Sequence, residues 1–208
     1  MTYYYYKLTV DDGGAPCCER GLLSFAICKP GIRSTADVGD VVFGFAGDVI
    51  DPENPLIYVA VVTKKIKDGG YYKQASYASR SDCVYKWADG QYVVRRNARF
   101  HGSLADLEHD LGEPPSYSRA NVLLSTEFRY FGSEGAACYD GQQYPEIAAG
   151  LRGLRQGHRV NHSGSLVLEL SRVQELVFRA YENSVNGPPT HMEGCHPCDR
   201  DDNHGCAQ

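Results

Sequence analysis

Two short apolar segments, separated by a loop with two prolines, constrain the fold of this chain more than any other feature. The first segment spans residues 41–47 and the second spans residues 56–62, and both are rich in β-branched and aromatic residues. Runs of this composition and length are typical of buried strands. The short separation predicts that the two strands are neighbours, so we expect the domain to be built around a sheet.

Turn signals, alternating apolar residues and helical spacing predict the other elements. Four consecutive tyrosines in the first predicted strand alternate between its two faces, and we expect one pair to line a surface groove. The last predicted helix has a capping-box spacing from Ser171 to Gln174. The predicted strands are residues 3–10, 22–28, 84–87, 92–94, 121–125, 128–131 and 165–170, and the predicted helices are residues 144–154 and 171–181.

Composition and charge exclude several classes of protein. With 42% hydrophobic and 23% charged residues, the 208-residue chain is neither a disordered polymer nor a coiled coil. It has no apolar run of the roughly 18 to 20 residues that cross a bilayer and no secretory signal, so we expect a cytoplasmic protein without a membrane partner. A net charge of −5 argues against a general nucleic-acid coat, although residues 60–100 hold nine cations and three aspartates.

The end of the chain carries a cluster of cysteine and histidine residues. A C-x-x-C pair supplies two thiolates to a tetrahedral zinc ion, and a histidine and a third cysteine complete such a site. A loose acidic tail is the alternative, because no apolar residues support this cluster. We therefore divide the chain into a domain over residues 1–185 and a tail over residues 186–208, with structural zinc as the one cofactor considered. The candidate ligands are Cys195, Cys198, His204 and Cys206.

Common catalytic signatures such as the P-loop, G-x-G-x-x-G, G-x-S-x-G and H-E-x-x-H are absent from the sequence. Several short segments instead carry a resemblance to a family: C-K-P-x-I-R, A-x-x-G-D, L-I-Y-V-A-x-x-V and L-x-S-x-x-F-x-Y-F-G, followed by a Gly-His pair at positions 157 and 158. Over residues 1 to about 160 the chain resembles the nucleotide modification associated domain 2 family. The resemblance implies an association with DNA base modification and phage defence, a nucleotide or nucleic-acid ligand with DNA preferred, and protein partners in such a system.

Residues 39–47 and 56–66 also resemble the core of small PUA-like barrels, a group that includes readers of modified bases. The expected fold is therefore α+β, with a twisted, partly closed mixed sheet flanked by a few helices. The corresponding function is recognition of a modified base or a nucleotide. The alternatives are an enzyme that modifies a nucleotide or DNA base, and a scaffold subunit of a modification or defence complex.

The first candidate site combines a cysteine with two cations. Lys29 and Arg33 are suited to holding phosphate, and Arg33 is the better candidate because its planar guanidinium binds phosphate with two hydrogen bonds. The same cations favour Cys28 as a nucleophile. The alternative is a buried cysteine with two solvated cations.

Two aromatic segments are candidates for stacking on bases. Trp87 lies in the basic window, where Arg95 and Arg96 are the candidates for contact with a nucleic-acid strand. Further along, three aromatic residues form a possible pocket wall, with Ser125 and Asp40 to read a base edge. A solvated hairpin and a packed strand are the respective alternatives. The wall residues are Phe128, Tyr130 and Phe131.

For the enzyme alternative, the candidate catalytic residues are His158, Glu127 and Cys28, which would transfer protons or attack the substrate. His101 is a second histidine that lies beside a glycine in a predicted loop. No acidic partner adjoins either histidine in the sequence. The sequence thus names individual candidates and leaves their grouping open.

Overall fold

A computed structural model describes residues 1–154 and 157–191. These residues form a mixed α+β structure with eleven strands and five α-helices. The strands are β1 Tyr3–Leu8, β2 Cys17–Glu19, β3 Leu22–Phe25, β4 Val41–Ala46, β5 Leu56–Val61, β6 Lys64–Ile66, β7 Tyr85–Ala88, β8 Gln91–Val94, β9 Val122–Ser125, β10 Glu127–Tyr130 and β11 His158–Arg159. The helices are α1 Pro30–Thr35, α2 Gly70–Lys73, α3 Leu104–Leu111, α4 Pro145–Arg152 and α5 Gly164–Ala180.

The strands are arranged in two sheets and one hairpin. The first sheet has the order β10-β5-β4-β1-β11, with β1 and β4 parallel. The second sheet has the order β2-β3-β9-β6, and β7 pairs with β8 in a separate hairpin. The predicted pairing of the two apolar segments is confirmed, because β4 and β5 are antiparallel neighbours. The predicted hairpin across Asp89 and Gly90 is also confirmed.

The two sheets share one core because the chain passes directly from one sheet to the other. A single residue, Thr126, separates β9 of the second sheet from β10 of the first. Buried side chains from both sheets, such as Phe25, Val42 and Phe128, meet between them. The described strands do not close into a barrel, so the barrel implied by the PUA-like resemblance is not observed.

All four consecutive tyrosines of β1 are buried, so the prediction that one pair lines a surface groove is wrong for the strand as a whole. The physical reason is that both faces of β1 are covered. Tyr3 and Tyr5 pack in the core that includes α4 and α5, whereas Tyr4 and Tyr6 pack between the two sheets. A central strand covered on both faces buries consecutive side chains.

The helices depart from the prediction at several points. Residues 165–170, predicted as a strand, form the first part of α5, and the Oγ atom of Ser163 caps this helix instead of Ser171. The alternating pattern of residues 165–170 is overridden because Leu166, Leu170 and Val173 form one buried helical face. Helix α4 is confirmed, and α1, α2 and α3 were not predicted.

The chain between residues 184 and 191 lies along the first sheet. The Asn186 amide donates to the carbonyl of Tyr130, and the His191 amide donates to the carbonyl of Asp11. The Asp11 carboxylate accepts hydrogen bonds from the Tyr130 hydroxyl and from Thr190. Within the described residues, none of the helices has the length and apolar character of a membrane span.

Candidate functional site

The sulfur of Cys28, the imidazole of His101 and the carboxylate of Asp110 form a continuous line of contacts. The Sγ atom of Cys28 lies 3.3 Å from Nε2 of His101. The Nδ1 atom of the same ring lies 2.5 Å from Oδ2 of Asp110. A nucleophile, a base and a group that orients the base occur in this order in Cys-His and Ser-His catalytic sites.

Three separate parts of the chain bring these side chains together. Cys28 follows β3 and precedes α1, and its backbone is left-handed with φ of 59°. His101 lies in the loop before α3, and Asp110 lies in the last turn of α3. A capping box between Ser103 and Asp106 begins this helix. The cap fixes where α3 starts and so places Asp110 against the His101 loop.

Asp110 is fully buried, and every neighbour that reaches its carboxylate stabilises the negative charge. Its Oδ1 atom accepts from the backbone amide of Cys28 at 2.7 Å. Its Oδ2 atom accepts from the hydroxyl of Tyr85 at 2.8 Å, in addition to the contact with His101. Buried charges are tolerated when they are paired and hydrogen-bonded in this way. The carboxylate is therefore held in one orientation.

Arg33 is the structural brace of this site. Its side chain is 0% exposed, and its guanidinium donates to the backbone carbonyls of Cys28 and Asp110 at 2.7 and 2.8 Å. It also donates to the carbonyls of Arg119 and Asn121. The Arg33 guanidinium lies 3.5 Å from Oδ1 of Asp110. These bonds join α1 to α3 and to the segment before β9.

The electrostatics of the site favour a charged pair. Burial lowers the pKa of His101, but the hydrogen bond and negative charge of Asp110 outweigh burial, and the net pKa is raised. Burial raises the pKa of Asp110, but its bond to His101 and the nearby cations outweigh burial, and the net pKa is lowered. Both pKa shifts favour a protonated imidazole beside an ionised carboxylate over the neutral pair. An imidazolium near sulfur stabilises a thiolate.

Cys28 and His101 line a cleft whose other walls are largely aromatic and apolar. The cleft is lined by Tyr6, Ile27, Cys28, Lys29, Phe100, His101 and His109, among others. Cys28 is disulfide-bonded in the structure. A thiol reductant supplies two electrons and two protons to split this bond, and the reduced sulfur then carries the thiol chemistry.

Of the predicted phosphate-binding residues, Lys29 lies at this cleft and Arg33 does not reach solvent. The Nζ atom of Lys29 lies 5.6 Å from the ring centroid of Tyr6. Because Arg33 donates to four carbonyls, phosphate contact by this residue stays a prediction that its burial does not favour. The carboxylate of Asp40 accepts from the amides of Thr2 and Asp37, as a turn residue does.

The predicted aromatic wall is part of the core. Phe128, Tyr130 and Phe131 are each 1% exposed. The hydroxyl of Ser125 is buried and donates to the carbonyl of Glu127. Base stacking by these three side chains stays a prediction, and none of them presents an accessible ring face. Their surroundings match the alternative of a packed strand.

The predicted hairpin is more open. Trp87 is 43% exposed, and the Nζ atom of Lys73 lies 4.2 Å from its ring centroid. The guanidinium of Arg95 donates to the carbonyl of Tyr85, whereas the side chain of Arg96 is exposed. The structure thus leaves Trp87 and Arg96 accessible on one hairpin, and it gives Arg95 a partly structural role.

The other predicted catalytic and metal-binding residues are not grouped with Cys28. The exposed Glu127 lies on β10, and His158 lies on β11 with its ring 6.1 Å from that of Tyr4. In the described part of the chain, no three His, Cys, Asp or Glu side chains are placed to hold a metal ion. The predicted zinc ligands Cys195, Cys198, His204 and Cys206 lie outside the described residues.

Sequence reasoning identified Cys28 and considered His101, but it missed Asp110 and Tyr85. Cys28 and His101 are 73 positions apart, so spacing alone gives no sign of their contact. One local signal was present, since Ser103 and Asp106 have capping-box spacing just before Leu107 and Leu111. That signal predicts α3, and α3 carries Asp110.

Comparison with known proteins places the chain in one family. The chain matches the nucleotide modification associated domain 2 family over residues 1–194 and therefore belongs to that family. No curated protein and no solved structure matches it. The family description links the chain to nucleotide modification.

Proposed function

We propose that this protein is an enzyme of nucleotide modification that uses reduced Cys28 as a covalent nucleophile. The observation that carries the proposal is the alignment of Cys28, His101 and Asp110 at a cleft. Proton transfer from the Cys28 thiol to Nε2 of His101 gives a thiolate–imidazolium pair. The thiolate then bonds to an electrophilic atom of the substrate, and the electron pair of the bond broken at that atom leaves with a group that takes the proton from His101. Asp110 keeps the imidazole in the required tautomer and stabilises its positive charge.

Other cysteines of the chain provide a contrast within the same molecule. Burial raises the pKa of the Cys17 thiol and also that of the Cys83 thiol. Neither residue has a histidine contact like that of Cys28 among the described hydrogen bonds. Raised thiol pKa values keep these two residues protonated and unreactive at neutral pH.

The test is the alkylation of the reduced full chain by iodoacetamide, followed residue by residue with mass spectrometry. Cys28 should react faster than Cys17 and Cys83 at pH 7, and the variant His101→Gln should remove that advantage. Since glutamine is similar in size to histidine, circular dichroism should show an unchanged fold. Equal rates at the three cysteines, or an unchanged Cys28 rate in the variant, would reject the proposal.

A second candidate function, nucleic-acid binding by the hairpin, has support from the exposure of Trp87. The hairpin combines an accessible indole, which has the Nζ atom of Lys73 over its ring, with exposed Lys86 on β7 and exposed Arg96 just after β8. Aromatic and cationic groups of this kind hold single strands, because bases stack on the rings and cations contact phosphates. Stacking contributes about 1 to 3 kcal/mol per base. The binding function and the enzyme function are compatible, because they use different surfaces.

Trp87 is the single tryptophan of the chain, so its fluorescence reports directly on this hairpin. Titration with single-stranded DNA should quench the fluorescence, and binding should weaken as salt rises. The variants Lys86→Gln and Arg96→Gln should weaken binding and reduce the salt slope, whereas the control Arg152→Gln on α4 should not. Fluorescence that stays constant at saturating DNA would remove the hairpin from binding.

A further inference from the structure

Three aromatic side chains at the hairpin, which we call the ring cluster, lie nearly perpendicular to one another. The rings of Trp87 and Tyr92 have centroids 4.8 Å apart and an interplanar angle of 76°. The ring of Tyr117 is edge-on to both, with its centroid 4.8 Å from that of Tyr92 and 6.2 Å from that of Trp87. Aromatic rings set at angles to one another are the material of the cages that hold ammonium groups.

The chain places one of its own cations on the ring cluster. The Nζ atom of Lys73 lies 4.2 Å from the ring centroid of Trp87 and 5.4 Å from that of Tyr92. Both distances are within the range of about 6 Å over which a ring face attracts a cation. None of the ion pairs in the described part of the chain includes Lys73. The ring cluster thus already binds an ammonium group.

The local structure fixes the rings and leaves the lysine exposed. The hydroxyl of Tyr117 accepts from the Tyr92 amide at 3.3 Å, and the hydroxyl of Tyr92 donates to the carbonyl of Asp68 at 3.3 Å. Burial, Tyr117 and the charge of Asp68 raise the pKa of Tyr92 to about 12, so the Asp68 carboxylate adds a negative field here. Both tyrosines are buried, whereas Trp87 and Lys73 are exposed. A ligand therefore reaches the indole by taking the place of the Lys73 ammonium.

A flat cation is the ligand that this exchange favours. A nucleobase methylated on a ring nitrogen, such as 1-methyladenine or 3-methylcytosine, is positively charged at pH 7. It stacks on an indole as a neutral base does, and the ring face attracts its charge in addition. The family description points to nucleotide chemistry, and exposed Lys86 and Arg96 lie on the same hairpin for the phosphates. A nucleotide is thus favoured over the ammonium group of a lipid or a peptide.

We infer that the hairpin prefers a positively charged, N-methylated nucleobase to its neutral parent, and that Lys73 is the internal cation that such a base displaces. The inference rests on the second proposed function, binding by the hairpin, and does not involve Cys28. Lys73 is then a specificity-determining residue. It competes with a charged base for the indole and repels that base as a like charge.

The experiment uses the full chain and nucleosides, which carry no phosphate, so that each pair of ligands differs only in the base. The indole N–H signal of the single tryptophan is followed by NMR while 1-methyladenosine or adenosine, and 3-methylcytidine or cytidine, is added at pH 7. The methylated member of each pair should bind about 3- to 30-fold more tightly.

Two lysine variants test the role of the internal cation. Lys73→Gln should tighten binding of the methylated nucleosides more than that of their neutral parents, because it removes both a competitor and a like charge. The matched control is Lys67→Gln, which removes an exposed lysine just after β6 and should leave the preference unchanged. Weaker binding of the methylated nucleosides to Lys73→Gln would overturn the displacement.

The remaining outcomes separate this inference from the function on which it rests. Equal affinity for the two members of each pair would overturn the inference. Tetramethylammonium that binds as tightly as the methylated nucleosides would show a site for any ammonium group and reject the nucleobase. If the preference is absent while single-stranded DNA still quenches Trp87, binding by the hairpin stands. If DNA also fails to quench Trp87, the hairpin function itself is wrong.

Discussion

Two buried Arg–Asp clusters in this protein are built alike but are placed differently. In one cluster Arg33 braces Asp110, and in the other Arg80 lies 3.5 Å from Asp82. Arg80 donates to the backbone carbonyls of three residues, much as Arg33 donates to those of four. Each carboxylate also accepts from a buried tyrosine hydroxyl, at 2.8 Å for Asp110 and 2.7 Å for Asp82.

The difference between the clusters is the histidine. Burial raises the pKa of Asp82, and the opposing charge of Arg80 does not reverse that shift. Asp110 has His101 as an additional partner, and the net pKa of Asp110 is lowered. Both buried pairs, Arg33–Asp110 and Arg80–Asp82, thus hold separate parts of the backbone together. Only at Asp110 does an imidazole connect the carboxylate to a cysteine at a cleft, and this cluster is the candidate site.

The largest expected effect separates the two aspartates by reactivity. Asp110→Asn should slow alkylation of reduced Cys28 by up to about 30-fold, because a thiol that returns to an ordinary pKa near 8.5 is only about 3% thiolate at pH 7. Asp82→Asn should leave the rate unchanged per folded molecule. The measurement is the pseudo-first-order alkylation rate at pH 7. Equal losses in both variants would show that the clusters do not differ in function.

The next effect should be the same in both clusters. Arg33→Met and Arg80→Met should each lower the free energy of unfolding by about 3 to 5 kcal/mol, because each leaves a buried carboxylate without its cation. The exposed control Arg152→Met should change it by less than about 0.5 kcal/mol. Urea unfolding measures all three. A cost near that of the control at either site would contradict its assignment as a brace.

A smaller effect should distinguish the two tyrosines. Tyr85→Phe and Tyr71→Phe each remove one hydrogen bond to a buried carboxylate, at a cost of about 1 to 3 kcal/mol. The loss should be greater for Tyr85, since the lowered pKa of Asp110 keeps its acceptor charged. Thermal and urea unfolding of both variants give the comparison. A greater loss of unfolding free energy in Tyr71→Phe than in Tyr85→Phe would contradict the expectation that Asp110 is the stronger acceptor.

The smallest effect is a pH dependence that only the histidine-containing cluster should show. The raised pKa of His101 adds stability that is complete below its unfolded value near 6.5 and is lost as pH rises through the higher folded value. The lowered pKa of Asp110 adds stability above 3.8 that is lost as pH falls through the lower folded value.

The advantage of the wild-type chain over His101→Gln in unfolding free energy should therefore be larger between pH 4 and 6 than at pH 9. Urea unfolding across this range tests the sign. Asp82→Asn provides the comparison, because no histidine contacts that carboxylate among the described bonds. If the difference in unfolding free energy between wild type and His101→Gln grew from pH 6 to pH 9, the pairing of His101 with Asp110 would be contradicted.

Local patterns predicted the elements that depend on local chemistry. The β4–β5 pair and the hairpin follow from apolar runs and turn residues, and α4 follows from Pro145 at its first turn. Whether β1 is covered on one face or two depends on α4, α5 and the second sheet, so the burial of its tyrosines was not predictable. The strand prediction for residues 165–170 failed because tertiary packing decided between two periodicities.

In the candidate site, too, the local sequence predicts some features and tertiary packing decides the others. Cys28 and His101 have recognisable chemistry, but the contact between them exists only after the His101 loop packs against the segment between β3 and α1. Arg33 has the composition of a phosphate ligand, and only its four carbonyl acceptors show that it is a brace. Residue types therefore identified reactive groups, whereas partners had to come from the fold.

The left-handed backbone at Cys28 and Lys29, with φ of 59° and 42°, has a consequence for protein engineering. Non-glycine residues in this conformation cost of order 1 kcal/mol or more each, and the surrounding structure must hold them there. Replacing Lys29 by glycine would relieve part of that cost and yield a more stable protein. A programme that selects only for thermostability would therefore favour glycine at position 29 and remove the Lys29 side chain from the cleft, so selection for stability should be paired with a functional screen.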